Sequence, residues 1–285
     1  MRKPYIILIF IIAFASCTTV KNDPAKEEWT PLFNGKDLTG WDIKISGSPL
    51  NVNFNNTFRV KDGILQANYD QYQKFNGEYG HIFYQDKFSS YKIRVEYRFI
   101  GNQTPGGAGW AFRNSGIMLH CQSAASMTKD QSFPTSIEFQ LLGGSGEAER
   151  PTGNLCTPGT NVVMKDSLFT PHCINSSSKT FNGDQWVEAE AIVLSDSIIT
   201  HVINGDTVLS YTQPQLDERE ATFSEMLAHF GGKMLKEGYI SLQGESHPVE
   251  FRKVELLNLK GCIDPKALNF KSYYTESDQS QCRYK

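Results

Sequence analysis

The chain has 285 residues, with 28 Lys and Arg against 31 Asp and Glu, for a net charge of −3. That length suits one large or two modest domains and can bury a sizeable core. Near-balanced charge, with no basic patch interleaved with aromatics, excludes nucleic acid as a partner; 12% aromatics and 23 glycines fit an all-β domain rich in turns.

At the N-terminus, Arg2 and Lys3 precede an apolar run from Tyr5 to Ala15, which ends in Phe14-Ala15-Ser16-Cys17. The run is shorter than the roughly 20 residues of a spanning helix. The pattern resembles a bacterial lipoprotein signal over residues 1–16, cleaved before Cys17 with lipid on its sulfur, rather than an ordinary secretory signal. Residues 17–28 then read as a polar tether, T-T-V-K-N-D-P-A-K-E-E after the cysteine. The expected location is the bacterial cell envelope, on a periplasmic or outer-membrane face, with the lipid anchor as the membrane contact. Export permits disulfides. Five cysteines remain, so at least one is free. Cys262 and Cys282 share the C-terminal segment and are expected to pair. Cys156 and Cys173 flank a loop-like stretch and form the expected second pair, which leaves Cys121 as a core-facing thiol.

From residue 29 the chain alternates short strands and turns. Leu32, Phe33, Leu38 and Trp41 anchor an N-G-K-D turn. Phe58 to Leu65 is a hairpin turning at Asp62-Gly63. His81 to Tyr84 and Tyr91 to Phe99 follow. In the second of these Ile93, Val95, Tyr97 and Phe99 alternate with Arg94, Glu96 and Arg98, which predicts a half-buried strand with an ion-pair ladder outside. A Gly-rich loop at 101–109 has no lysine and no strand-to-helix context, so it is not a phosphate cradle. Two further strands, 113–120 and 136–144, come next. Residues 143–185 are loop-rich, a length that is usually functional or disordered; two cysteines and His172 argue for order. The stretch 186–194 is a strand, 198–211 a hairpin around Asn204-Gly205, 214–236 a helical patch around Glu218 to Phe230, and 238–244 and 248–259 the closing strands. Short strands at roughly ten-residue spacing, without βαβ alternation, predict a jelly-roll β-sandwich over 29–259. Residues 260–285 form a Cys-bracketed C-terminal tail, G-C-I-D-P-K-A-L-N-F…C, similar to short motifs at the ends of exported bacterial proteins.

The 113–120 and 136–144 strands carry the candidate active site. Read with period two, Ser115, Ile117, Leu119 and Cys121 share one face, and Asn114, Gly116, Met118 and His120 the other. Ile137, Phe139 and Leu141 oppose Glu138 and Gln140. If the strands are near neighbours, His120, Glu138 and Gln140 share a surface. A polar concave face on a jelly roll suggests a carbohydrate ligand. Ordinary glycoside hydrolysis needs two carboxylates. The strand supplies only Glu138, unless Glu96 completes the pair. One carboxylate with His, Arg and amides suits proton abstraction beside a carbonyl, the enolate being held by cations or a metal. His120 and Glu138 are the candidate base and divalent-metal ligands, and His172 could swing over the face from the long loop. Arg113, Asn114, Gln140, His81, Gln243 and His247 are candidate substrate contacts. His201 and His229 have no supporting context and read as structural.

Several segments match a known family in order: W-x-x-L-F-N-G-K-D-L-T-G-W (29–41), D-G-x-L (62–65), Y-K-I-R-V-E-Y-R-F (91–99), N-S-G-I-M-L (114–119), E-F-Q-L-L (138–142), I-N-G-D-T-V (203–208) and I-S-L-Q…P-V-E-F-R-K-V-E-L (240–256). With them the chain resembles the 3-keto-disaccharide hydrolase family, also named 3-ketoglycoside lyase/hydratase, over about residues 29–259. The loop segments at 150–160 and 172–180 are similar to one long-loop branch. The resemblance implies a concanavalin-like jelly roll acting on 3-keto-glycosides. A base removes the acidified C2 proton, the C1 aglycone leaves, and water adds to the glycal. It places Glu138 and His120 on the family's central strands. The chain departs from the family where many members have Arg at position 120 and Q-D-H-G-x-P in place of Gln243-Gly244-Glu245-Ser246-His247-Pro248. A non-catalytic carbohydrate-binding jelly roll and a two-carboxylate glycosidase are the competing classes.

Overall fold

The structure is a computed structural model and describes residues 23–285. The expected signal segment and Cys17 lie outside the described residues. Two antiparallel sheets face each other. The larger runs Ser167–Phe169, Thr160–Met164, Asp206–Leu216, Ile198–Ile203, Val187–Leu194, Ser90–Phe99, Val249–Asn258, Ile64–Ala67, Phe58–Lys61, with Thr30–Pro31 added on Val249–Asn258. The smaller runs Cys173–Ile174, Asn154–Cys156, Ile137–Leu142, Asn114–Cys121, Tyr239–Gly244, Gly80–Tyr84, Trp41–Ile45. Neighbours in space are mostly distant in sequence, and the whole is a jelly-roll β-sandwich.

Alternation explains the core. Ile93, Val95, Tyr97 and Phe99 of the larger sheet meet Ile117, Leu119, Phe139 and Leu141 of the smaller in one continuous apolar cluster. The intervening positions of Ser90–Phe99 form the ladder expected outside. Arg94 bonds Glu190 at 2.8 Å and Glu255 at 3.0 Å, and Arg98 bonds Glu250 at 2.7 Å. Such partly exposed pairs are worth about 0–1 kcal/mol each, so packing between the sheets dominates stability. Glu96 belongs to this ladder. It pairs with Lys253 at 3.0 Å and with Arg252 on the outer face of the larger sheet, the full thickness of the sandwich away from the smaller sheet's outer face. The Glu96–Glu138 pair considered from sequence therefore does not form.

The Asn204-Gly205 turn closes its hairpin with Ile203 opposite Asp206, and both residues take positive φ, as a two-residue turn demands. The helical patch reduces to Phe223–Phe230, ended by Gly231 in the left-handed conformation. Cys156–Cys173 and Cys262–Cys282 are bonded, and Cys121 is free and buried. The tail also holds the segment that leads into the sandwich, because Ser272 N–H donates to the Pro24 carbonyl at 2.9 Å.

Candidate active site

Strand register fixes which side chains share the outer face of the smaller sheet. Glu138 stands opposite Met118 and Cys156, and Gln140 opposite Gly116 and Asn154. His81 stands opposite Gln243 and Lys44. Each alternates with a core residue, so all point away from the core. Gly116 leaves the space that the Glu138 carboxyl fills. A Cβ there would lie 2.9 Å from Glu138 Oε1 and 2.6 Å from the Met118 methyl.

The pocket over this face has a volume of 370 Å³ and is lined by Asn114, Glu138, Gln140 and Glu245 among others. Glu245 is the second carboxylate that sequence reading missed. It follows the Tyr239–Gly244 strand by one residue, where period two no longer says which way a side chain points. Its signal was proximity to Gln243 and His247 at a strand end. Glu138 and Glu245 are both buried. Burial pushes the Glu138 carboxyl up to about 8. Glu245 is pushed well above the ordinary carboxylate range by burial and by the neighbouring Glu138, partly offset by Arg150. Two buried carboxyls sharing a pocket lose their protons in two coupled steps, both displaced upward from the ordinary carboxylate range.

Arg150, also unpredicted, comes from the long loop. Its guanidinium donates to the carbonyls of Arg113 (2.9 Å), Gly143 (2.7 Å) and Trp110 (3.1 Å). It thus ties three segments around the pocket while supplying positive charge to Glu245. Trp110 is 55% exposed and stacks on Tyr79 at 5.8 Å, and Tyr79 in turn meets Phe133 at 5.0 Å. Trp110 and Phe133 both line the pocket.

The structure separates His120 from Glu138. His120 has φ +46°, and the strand bulges here against Tyr239–Gly244. A bulge inserts an extra residue and reverses the alternation beyond it. The His120 ring therefore turns toward the larger sheet, edge-on to Tyr91 at 5.9 Å, with Nε2 3.2 Å from the Ser195 carbonyl. Burial lowers its pKa to about 4. Cys121 makes the complementary move and packs with Phe83, Met118 and Met127 on the pocket side of the sheet, not in the inter-sheet core. His120 and Glu138 do not fit as a metal pair, and among the described residues no group of three His, Cys, Asp or Glu side chains converges to hold an ion.

The remaining candidates divide. Asn114, Gln140 and the exposed His172 line the pocket. The Asn114 Oδ1 atom is buried without a partner, and Gln140 accepts from Asn154 at 3.0 Å. His81 and Gln243 lie on the same face but are fully buried. The ring of Phe133 stands edge-on to His81 at 6.1 Å, and all four side-chain polar atoms of the two residues lack partners. Burial lowers the His81 pKa to about 3. Arg113 is diverted: it donates to the Gly183 carbonyl at 2.7 Å and to Asp184 at 3.3 Å, and its φ of +42° turns the chain at the strand start. His247 packs edge-on to Phe112 (5.0 Å) and Phe99 (5.8 Å). Neither lines the pocket.

A β-sandwich with a buried acidic pair under an aromatic rim defines a carbohydrate-active jelly roll. Residues 28–257 match the 3-keto-alpha-glucoside-1,2-lyase-like domain, and the chain belongs to that family. No curated protein matches it in sequence. Among solved structures, two Parabacteroides distasonis proteins provisionally described as glycosyl hydrolases are similar. One has 19% identity, covers 81% of this chain and 93% of that chain, and has a TM-score of 0.48. The other has 16% identity, covers 81% and 99%, and has a TM-score of 0.49. A Bacillus subtilis protein of unknown function with a galectin-like fold has 13% identity, covers 82% and 97%, and has a TM-score of 0.47.

Proposed function

We propose that the protein cleaves 3-keto-glycosides by removing the C2 proton and expelling the C1 aglycone. The observation that carries this reading is the Glu138–Glu245 pair in one pocket of a 3-keto-glucoside lyase-like domain. The ketone acidifies C2–H. Glu138, in its ionised form, takes that proton, and the C2–H electron pair becomes the enolate C2=C3 bond. The enolate then re-forms the ketone as C1=C2 forms and the C1–O bond breaks. Glu245 keeps its proton at neutral pH and gives it to the departing oxygen. Water adding at C1 with reprotonation at C2 completes a net hydrolysis. A base with pKa near the working pH is worth roughly 10²–10⁴ in rate. Asn114 and Gln140 are placed to contact sugar oxygens.

The same two carboxyls also suit ordinary glycoside hydrolysis. One assay separates the readings: incubation with matched 3-keto and unoxidised glycosides, with and without chelator. Aglycone release from the keto form alone supports elimination. Equal cleavage of the unoxidised form moves the protein to the two-carboxylate class, and binding of both without turnover makes it a carbohydrate-binding module. Loss of activity with chelator would assign a metal.

A further inference from the structure

The pocket changes chemistry with depth, in the reverse of the usual order. Its buried lining residues Asn114, Glu138 and Glu245 are polar. Its outer lining is largely apolar: the 55% exposed Trp110, half-buried Phe133 and Pro158, and the exposed Cys173, disulfide-bonded to the buried Cys156, with Gln140 the half-buried polar exception. The hydrogen-bonding side chains of the outer lining are few: the indole N–H of Trp110, His172 and the half-buried Gln140. Water normally disfavours so large an exposed indole, and an apolar rim continuous with a polar floor is the form of a ligand site.

The rim is also held in place. The Trp110 carbonyl accepts from Arg150 (3.1 Å) and from the Asn114 amide (3.4 Å). Its ring lies within 16° of parallel to Tyr79. On the disulfide side, Thr157 N–H and Oγ donate to the His172 carbonyl at 2.9 and 3.2 Å. Little ordering is left to be done when a flat ring enters.

Resting on the elimination reading above, we infer that the outer part of the pocket is the leaving-group subsite and takes an aromatic aglycone. The substrates are then 3-keto-glycosides of phenols rather than 3-keto-disaccharides. The floor supplies the amides and carboxyls a keto sugar needs. A second sugar at the rim would bring several hydroxyls to a surface that offers few side-chain partners, and those left unpaired would give up water without replacement. An aryl ring loses nothing there and gains the face of Trp110. A phenolate is also a better leaving group, and its protonation asks less of Glu245.

The test compares phenyl 3-keto-glucoside with a 3-keto-disaccharide of two glucose units, using the full chain. Turnover is measured on the wild type. Equilibrium binding is measured on Glu138→Gln, by quenching of tryptophan fluorescence and by calorimetry. The expected result is an aryl preference of about tenfold in kcat/KM and in affinity. In Trp110→Ala that ratio should collapse toward one, and Trp110→Phe should restore much of it. An equal or greater preference for the disaccharide overturns the inference while leaving elimination standing. If neither compound turns over, elimination fails, and the binding preference still decides the class of ligand.

Discussion

Replacing Glu138 by Gln should make the protein more stable at alkaline pH. The folded state raises this carboxyl from 4.5 to about 8, so it binds the proton more tightly than the unfolded chain does. The stability this contributes is complete below pH 4.5 and is lost as pH climbs through about 8. Each tenfold gain in proton affinity is worth about 1.4 kcal/mol, so the rise carries on the order of a few kcal/mol. Water entering through the open pocket reduces this, so about 2–5 kcal/mol is expected. Wild type and Glu138→Gln should therefore have similar urea midpoints at pH 4.5, and the variant should be ahead by that amount at pH 9. The same substitution should cost 10²–10⁴ in kcat. Parallel stability curves across this range would refute the claim that a desolvated carboxyl sits beneath the pocket.

Arg150→Met removes the positive charge near Glu245. Its carboxyl should titrate higher still, and the alkaline limb of the pH–rate profile, where the acid loses its proton, should move up. Gly116→Ala crowds Glu138 Oε1 at 2.9 Å; kcat should fall at least tenfold, with a smaller proportional loss in melting temperature. His120→Asn keeps a residue that tolerates positive φ but loses the Tyr91 contact; it should cost about 2–3 kcal/mol of stability and leave kcat/KM within threefold. Reducing Cys156–Cys173, which closes a loop of 17 residues, should lower stability by about 3 kcal/mol. It should also raise KM, because the rim around Pro158 and His172 is released; an unchanged KM would count against a role for that rim.

The fold was legible because local rules set it. Alternation in Tyr91 to Phe99 and in Ile137 to Leu142 names the core residues one by one, and Asp62-Gly63 and Asn204-Gly205 mark the turns of two hairpins elsewhere in the chain. The site was only half legible, for identifiable reasons. Glu138, Gln140 and Asn114 sit on regular strands, where period two holds. His120 sits at a bulge, and one inserted residue sends its ring to the other side of the sheet while bringing Cys121 to the pocket side. Glu245 and Arg150 lie beyond strand ends, and Trp110 in a 3-10 turn, where orientation depends on tertiary packing. Reading the acidic pair as missing followed directly: the second carboxyl comes from a strand distant in sequence, not from the Glu138 strand.

The central claim is proton removal at C2 by the Glu138–Glu245 pair. It is tested most directly by cleaving a 3-keto-glycoside in deuterated water and following C2 of the released sugar by NMR. One solvent deuterium at C2 in every product molecule, together with a primary isotope effect for substrate deuterated at C2, is the predicted result. Release of a sugar that keeps its original C2 hydrogen, with no isotope effect, would contradict it.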